Sequence, residues 1–192
     1  MKTIISFISI LLLVISSKVA AQESQKKLIS VEESLAGIQL GVIGISGFYE
    51  AKLANNWTVR GEMGLRGNLT IVVGGDNDFY VQPEIALSPR LYYNLKRRAE
   101  KGKNIANNSA NFLSLYNSYR PDWFSLLNDE NQNGTQKILT NLLWGLRRSY
   151  GNHFHLEFAA GLGYYKEINL EPYMKDDSGV YPALDFRIGY QF

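Results

Sequence analysis

The residue pattern that decides the fold lies in the stretch His153-Phe-His-Leu-Glu-Phe-Ala-Ala-Gly-Leu-Gly-Tyr-Tyr165. Its even positions from Phe154 to Tyr164 are all apolar, whereas its odd positions are polar, small or amphipathic. Successive side chains of a β-strand point to opposite faces, so this alternation predicts a strand with one apolar and one polar face. The segment from Pro182 to Phe192 alternates in the same way and predicts the last strand.

Similar alternation upstream predicts the remaining strands. The patterned segments are Trp57 to Arg66, Val81 to Asn94 and, less regularly, Ile138 to Arg147, with weaker candidates at Gly37 to Ile43, Phe48 to Leu53 and Phe112 to Tyr119. Together they predict about eight strands of roughly the 9–11 residues that cross a bilayer. The count stays open in the hairpin from Gly37 to Leu53, where the second strand is short.

The N-terminus predicts export. Lys2 precedes an almost unbroken apolar run from Ile4 to Ile15, and small residues follow up to Ala21. A basic start, a short apolar core and a small-residue end are typical of a secretory signal peptide, whereas an anchor helix needs roughly 17–25 apolar residues. We therefore expect residues 1–21 to be a signal peptide cleaved after Ala21, and residues 22–192 to form a single β-barrel domain.

The composition argues against several classes of function. The chain has no cysteine, which removes disulfides, thiol catalysis and thiolate metal sites. A formal net charge of +2 gives no electrostatic footprint for nucleic acid. No cofactor and no metal site are expected.

Alternation alone leaves open which face meets water. A soluble barrel buries its apolar face, whereas a membrane barrel turns that face towards lipid and keeps polar residues inside. The predicted inner faces combine Gly and Ala with long charged residues, which suits a narrow, filled interior. Aromatic residues also recur near strand ends, as interfacial girdles require, at Trp57, Tyr93, Tyr119, Trp144, Tyr164 and Tyr190.

We therefore predict an all-β fold, an eight-stranded antiparallel up-and-down transmembrane β-barrel with a polar, side-chain-filled interior. Because lipid offers no hydrogen bonds to a strand edge, such a sheet must close on itself. The predicted inner positions hold five acidic and six basic residues: Glu50, Glu62, Glu84, Glu157 and Asp185, with Lys52, Arg60, Arg66, Arg90, Arg147 and Arg187. Isolated buried charges cost several kcal/mol each, so this near balance predicts a paired network rather than an ion pathway.

Turn signals predict which connections share an end of the barrel. Ala54 to Asn56, the basic segment Lys96 to Asn108 and Gly151-Asn152 fall on the periplasmic side in the predicted order. The longer loops fall outside, at Gly75 to Asp78, Pro121 to Thr135 and Lys166 to Val180. Of these, the stretch Tyr119-Arg-Pro-Asp-Trp-Phe124 is the candidate contact surface, although a loop folded over the barrel mouth explains its aromatics equally well.

The signal peptide, the alternating strands and the ending Leu184-Asp-Phe-Arg-Ile-Gly-Tyr-Gln-Phe192 resemble small bacterial outer-membrane β-barrel proteins of the OmpX and OmpA-transmembrane-domain type. The blocks Ser88-Pro-Arg-Leu-Tyr-Tyr-Asn-Leu95 and Lys101-Gly-Lys-Asn104 are also similar to uncharacterised Bacteroidetes outer-membrane barrels. The resemblance implies a monomer in the cell outer membrane, in contact with outer-membrane lipid and lipopolysaccharide. It also implies a structural or adhesion-like, surface-contact role rather than an open porin.

The resemblance further implies an assembly signal on the last strand. In such barrels the insertion machinery reads terminal aromatic and apolar residues, which correspond here to Phe186, Ile188, Tyr190 and Phe192. The sequence departs from the family at Gly189, which lies nearer the end than the usual glycine.

Two alternatives have a basis in the sequence. Ser149 lies across the Gly151-Asn152 turn from His153, with Glu157 further along the same face, so a lipid-modifying enzyme with a Ser-His-Glu arrangement is conceivable. Residues at such a turn are more often simply solvated or hydrogen-bonded, and no catalytic residue is predicted. The other alternative is a soluble periplasmic β-barrel that binds an apolar ligand.

Overall fold

The computed structural model describes residues 29–70, 78–121, 135–169 and 177–192. In these residues eight antiparallel strands follow one another around a closed barrel in chain order. This confirms the predicted all-β, eight-stranded up-and-down barrel. The strands are β1 Ser34–Gly41, β2 Gly44–Ala54, β3 Trp57–Thr70, β4 Asp78–Leu91, β5 Asn111–Arg120, β6 Thr135–Tyr150, β7 Phe154–Asn169 and β8 Ser178–Gln191.

The first hairpin resolves the count that the sequence left open. Its turn falls at residues 42–43, so the segment predicted as the end of the first strand is the turn itself. The second strand is not short, since β2 has 11 residues and begins at Gly44, whose φ of 145° is readily adopted only by glycine. Val42 and Ile43 are apolar and gave no turn signal, which is why the prediction misplaced this boundary.

Strand pairing closes the barrel between its first and last elements. β1 pairs with β8, placing Gly37 opposite Gln191 and Gly41 opposite Arg187. Every sheet edge among the described strands is therefore hydrogen-bonded to a neighbour. Closure removes the row of unpaired backbone groups that an open sheet would expose.

Side chains divide between the two faces as the sequence alternation predicts. Along β7, His155, Glu157 and Ala159 are buried, whereas Phe154 and Phe158 are exposed. The same alternation runs along the other strands, so the charged positions point inwards and large apolar side chains cover the outside. No helix among the described residues is long and apolar enough to cross a membrane.

One end of the barrel carries a structure that the sequence did not predict. Lys96 to Asn108 was expected to be a turn longer than usual, but it contains the helix α1 (Leu95–Glu100) and a 3-10 turn (Ala106–Asn108). Leu95 is buried with Tyr92, Ala110 and Phe112 in an apolar cluster. We call residues 92–110 the cap, because they fold across this end of the barrel.

The opposite end is described only in part. The loop predictions at Gly75 to Asp78 and Pro121 to Thr135, and the contact stretch up to Phe124, fall mostly outside the described residues, as does the predicted signal peptide. The loop predicted from Lys166 to Val180 is shorter than expected, because β7 runs to Asn169 and β8 begins at Ser178.

Candidate functional site

The centre of the barrel holds a group of ion pairs contributed by several strands. Glu157 on β7 accepts two hydrogen bonds from Arg90 on β4, at 2.8 and 3.0 Å, and a third from Arg60 on β3 at 3.2 Å. Glu62 accepts hydrogen bonds of 2.7 Å from Arg187 on β8 and lies 3.0 Å from the Arg60 guanidinium. All five side chains are buried, so each charge depends on these partners.

Glu50 connects this central network to the cap. Its carboxylate lies 3.6 Å from Arg60 and 3.7 Å from Arg147. It also accepts hydrogen bonds from the Tyr92 hydroxyl at 2.9 Å and from the Asn108 amide at 2.8 Å, both of which belong to the cap. Burial, and to a lesser extent the Glu50 carboxylate, raises the pKa of the Tyr92 phenol, so Tyr92 remains a protonated donor.

A second network lies beside the central one, towards the long-loop end. Glu84 on β4 accepts hydrogen bonds from Arg120 at 2.7 Å and from the Tyr116 hydroxyl at 2.8 Å. Arg66 lies 3.7 Å from Glu84 and 3.4 Å from Asp185. Asp185 also approaches Arg187 of the central network to 2.6 Å, so the two networks are continuous.

The structure places ten of the eleven predicted lumen residues in these two networks and separates one. Lys52 lies at the rim, where it pairs with Glu33, whose side chain is 77% exposed. Its separation follows from its position near the end of β2, beyond Glu50. Arg120 takes its place in the lumen, so the described networks still contain five acidic and six basic residues.

Several lumen residues were missed by the sequence analysis. Arg120 was assigned to the edge of a loop. The strand signal of β5 was weak because two aromatic residues, Phe112 and Tyr116, stand among its inward positions and Asn117 among its outward ones. Phe48 points inwards, with the Arg60 guanidinium 3.8 Å from its ring centre. The Arg90 guanidinium likewise lies 4.5 Å from the centre of the Phe112 ring. A rule that sorts residues by polarity cannot place such rings in a polar lumen, although cation–π contacts stabilise them there.

The Ser-His-Glu arrangement conceived from the sequence is not assembled. His153 lies at the turn, where its Nδ1 is 3.0 Å from the Gln191 carbonyl oxygen and its ring stacks on Tyr190. The histidine opposite Ser149 in the strand register is instead His155. Neither the Ser149 hydroxyl nor the His155 ring nitrogens have a hydrogen-bond partner among the described residues. Glu157 is held by arginines, so it does not orient a histidine.

The long-loop end of the lumen opens into a cavity of about 730 Å³. Its walls combine charged pairs with tyrosine rings. Lys137 lies 2.5 Å from Glu167 and 5.8 Å from the centre of the Tyr165 ring. Tyr181 donates a hydrogen bond of 2.7 Å to Asn141. The cavity therefore offers aromatic surface and polar groups, and Arg66, Arg120 and Asp185 of the second network line it.

The described lumen side chains form a polar core of ion pairs and hydrogen bonds. Among the described residues no group of three His, Asp or Glu side chains is arranged to hold a metal ion. Comparison of the chain with protein-family models, with curated proteins and with solved structures found no match.

Proposed function

We propose that this protein is an outer-membrane β-barrel with a structural or surface-contact role and that it is not an open porin. The observation that carries the proposal is the inverted distribution of polarity. Arg60 and Arg147 are fully buried inside the barrel, whereas Leu142, Leu162 and Leu184 are more than 60% exposed on its outside. Water favours the opposite arrangement, and a bilayer favours this one.

The apolar area of the outer surface supports the proposal because it extends around the whole barrel. Exposed large apolar residues occur on every strand, and aromatic ones gather near the cap end: Trp57, Tyr93, Tyr150, Phe154, Tyr190 and Phe192. Such a ring is typical of the boundary between lipid tails and headgroups. A continuous apolar surface around a monomer would be an aggregation hazard in water.

The last strand carries the proposed assembly signal on this same surface. Phe186, Ile188, Tyr190 and Phe192 all point outwards, so they are accessible to an insertion machinery before the strand meets lipid. The neighbouring inward position is Gly189, where the His155 ring occupies the space that a larger side chain would need. This packing explains a glycine so close to the end of the strand.

The filled lumen supports a structural role rather than a transport role. Ion pairs connect β3, β4, β7 and β8 across the interior, and the cap covers one end. An apolar ligand would need apolar walls where these charges lie, so the soluble ligand-binding alternative is not favoured. The cavity with its tyrosines lies at the end that the proposal assigns to the cell surface, where the protein would contact molecules outside the cell.

Cell fractionation combined with gel mobility tests the proposal. The mature chain should be recovered with the outer membrane and should migrate differently on gels before and after boiling in detergent. Recovery as a soluble monomer without detergent would contradict it. Orientation is tested by an epitope inserted after Asn128, which should be labelled on intact cells. The matched insertion after Asn152 should be labelled only when the outer membrane has been permeabilised.

A further inference from the structure

The cap carries a concentration of positive charge on its exposed side. Between Leu95 and Asn104 the chain has five basic residues and one acidic residue, Glu100. Arg148 on β6 adds a sixth positive charge, because the Asn104 side chain of the cap bonds the carbonyl oxygen of the next residue, Ser149, at 3.1 Å. We call these six residues the basic patch: Lys96, Arg97, Arg98, Lys101, Lys103 and Arg148.

The patch is held in place rather than carried on a loose loop. Leu95 anchors α1 in the buried cluster, and Arg98 donates a hydrogen bond of 2.8 Å to the Asn104 carbonyl oxygen. The Asn104 side chain donates in turn to the Ser149 carbonyl oxygen at 3.1 Å. Lys96 and Lys101 are exposed, so the charges face away from the barrel while their backbone is fixed.

The carboxylates near the patch are too few to balance its six positive charges, since Glu100 is the one acid within it and two neighbouring acids have other partners. Glu32 accepts a hydrogen bond from the Asn107 backbone, and Glu33 pairs with Lys52. Like charges brought together without a matching number of acids favour an external anion. The described part of the chain therefore leaves the patch with a net positive charge.

The patch adjoins the apolar outer surface through a connected group of side chains. Arg148 donates a hydrogen bond of 2.7 Å to Asn111, whose amide lies 3.4 Å from the Tyr93 hydroxyl. The same hydroxyl accepts a hydrogen bond of 2.6 Å from the indole of Trp144. Trp144 and Leu113 are exposed on the apolar surface. Positive charge thus meets aromatic rings and apolar residues at one boundary.

We propose that the basic patch binds the headgroups of anionic phospholipids in the leaflet next to the cap. The inference rests on the proposed membrane location. A Trp and Tyr pair beside basic residues is the arrangement expected where headgroups meet acyl chains, and basic residues near such a surface are attracted to anionic lipid. An acidic protein would complement the charge equally well, but it would not account for the continuity of the patch with the apolar surface.

The inference is tested by measuring which lipid is enriched next to Trp144 in a bilayer. In a background with Trp57→Phe and Trp123→Phe, Trp144 is the only tryptophan. The chain is refolded into phosphatidylcholine vesicles containing phosphatidylglycerol, with bromine on the acyl chains of one lipid at a time. Brominated phosphatidylglycerol should quench Trp144 as though that lipid were enriched on the order of threefold near the patch. Salt should reduce the enrichment.

Variants identify the residues responsible. Replacing Lys96, Arg97, Lys101 and Lys103 by Gln should abolish the enrichment, whereas replacing the three lysines by Arg should preserve it. Equal quenching by both lipids in the parent chain, or enrichment that survives the Gln replacements, would overturn the inference while leaving a membrane barrel intact. Failure of the parent chain to insert into any vesicle would instead overturn the proposed function.

Discussion

At the scale of single residues, the stability of the interior depends on buried charged side chains that contact one another instead of water. Glu157 contacts Arg60, Arg90 and Arg147, at 3.2, 2.8 and 3.6 Å. Removing one member of such a group is costlier than its pairwise contacts suggest, because the remaining charges stay buried. Here three guanidinium groups would lose the carboxylate that they share.

The first prediction concerns this shared carboxylate. Glu157→Gln should lower the free energy of unfolding by about 3–5 kcal/mol, because it leaves excess positive charge in the lumen. Urea unfolding of the refolded barrel in detergent micelles measures the change. Glu167→Gln is the matched control, since the Lys137–Glu167 pair is more exposed and should contribute about 1 kcal/mol or less. Equal effects of the two variants would contradict a buried network.

The second prediction concerns close packing between β6 and β7. A Cβ atom at Gly161 would lie 1.9 Å from the Leu142 carbonyl oxygen, so Gly161→Ala forces the backbone to move. We expect destabilisation of about 1–3 kcal/mol in the same unfolding assay. Gly61→Ala is the control, because a Cβ atom there meets nothing within 4 Å. A neutral Gly161→Ala variant would show that the strands are less closely packed than described.

Residue polarity alone predicted most of the interior, for a physical reason. The period of a strand is two, so one clear apolar position assigns the face of its neighbours, as at Glu157 between Leu156 and Phe158. The rule failed where inward residues are aromatic, as at Phe48 and Tyr116. The Phe48 ring makes a cation–π contact with an arginine, and the Tyr116 hydroxyl donates a hydrogen bond to a carboxylate. It also could not predict that Lys52 pairs at the rim, which depends on where β2 ends.

At the scale of elements, the cap is the part of the fold that the sequence did not reveal. Strand alternation stops after Tyr93, and the basic run that follows has no apolar repeat long enough to predict a helix. α1 has only six residues and is held by tertiary contacts. Asn107 and Asn108 then turn the chain with φ values of 55° and 59°, a region that Asn tolerates better than most residues.

The third prediction separates the side-chain contacts of the cap from its backbone geometry. Asn108→Gly keeps access to positive φ but removes the hydrogen bonds to Glu50 and to the Glu32 backbone. We expect faster hydrogen exchange throughout residues 92–110, with little change in β6 and β7. Asn107→Gly is the control, because the Asn107 side chain donates to the exposed carbonyl oxygen of Asn152 rather than to a buried carboxylate. Unchanged exchange in Asn108→Gly would show that the Glu50 contact does not hold the cap.

At the scale of the whole molecule, two features make the barrel a closed body. Among the described residues the charged networks occupy the middle of the lumen, and the cap covers one end. An eight-stranded barrel leaves an interior just wide enough for side chains. This arrangement is the basis for the proposal that the barrel is not an open porin.

The fourth prediction follows from this closure. In planar bilayers the refolded protein should show no sustained conductance steps. Glu157→Gln should also remain closed, because the lumen keeps its arginines and the cap. Stable open-channel steps from the unaltered protein would contradict a filled interior.

In the proposed function the apolar outer surface faces lipid, and one substitution tests this most directly. Leu142 is 64% exposed near the middle of β6. Leu142→Arg should lower the stability of the barrel folded in lipid vesicles by about 2–4 kcal/mol, because it places a charge in the hydrocarbon layer. Asn152→Arg adds the same charge in a turn outside the strands and should be nearly neutral. If Leu142→Arg is also neutral and the chain then folds without lipid or detergent, the outer surface faces water and the account is wrong.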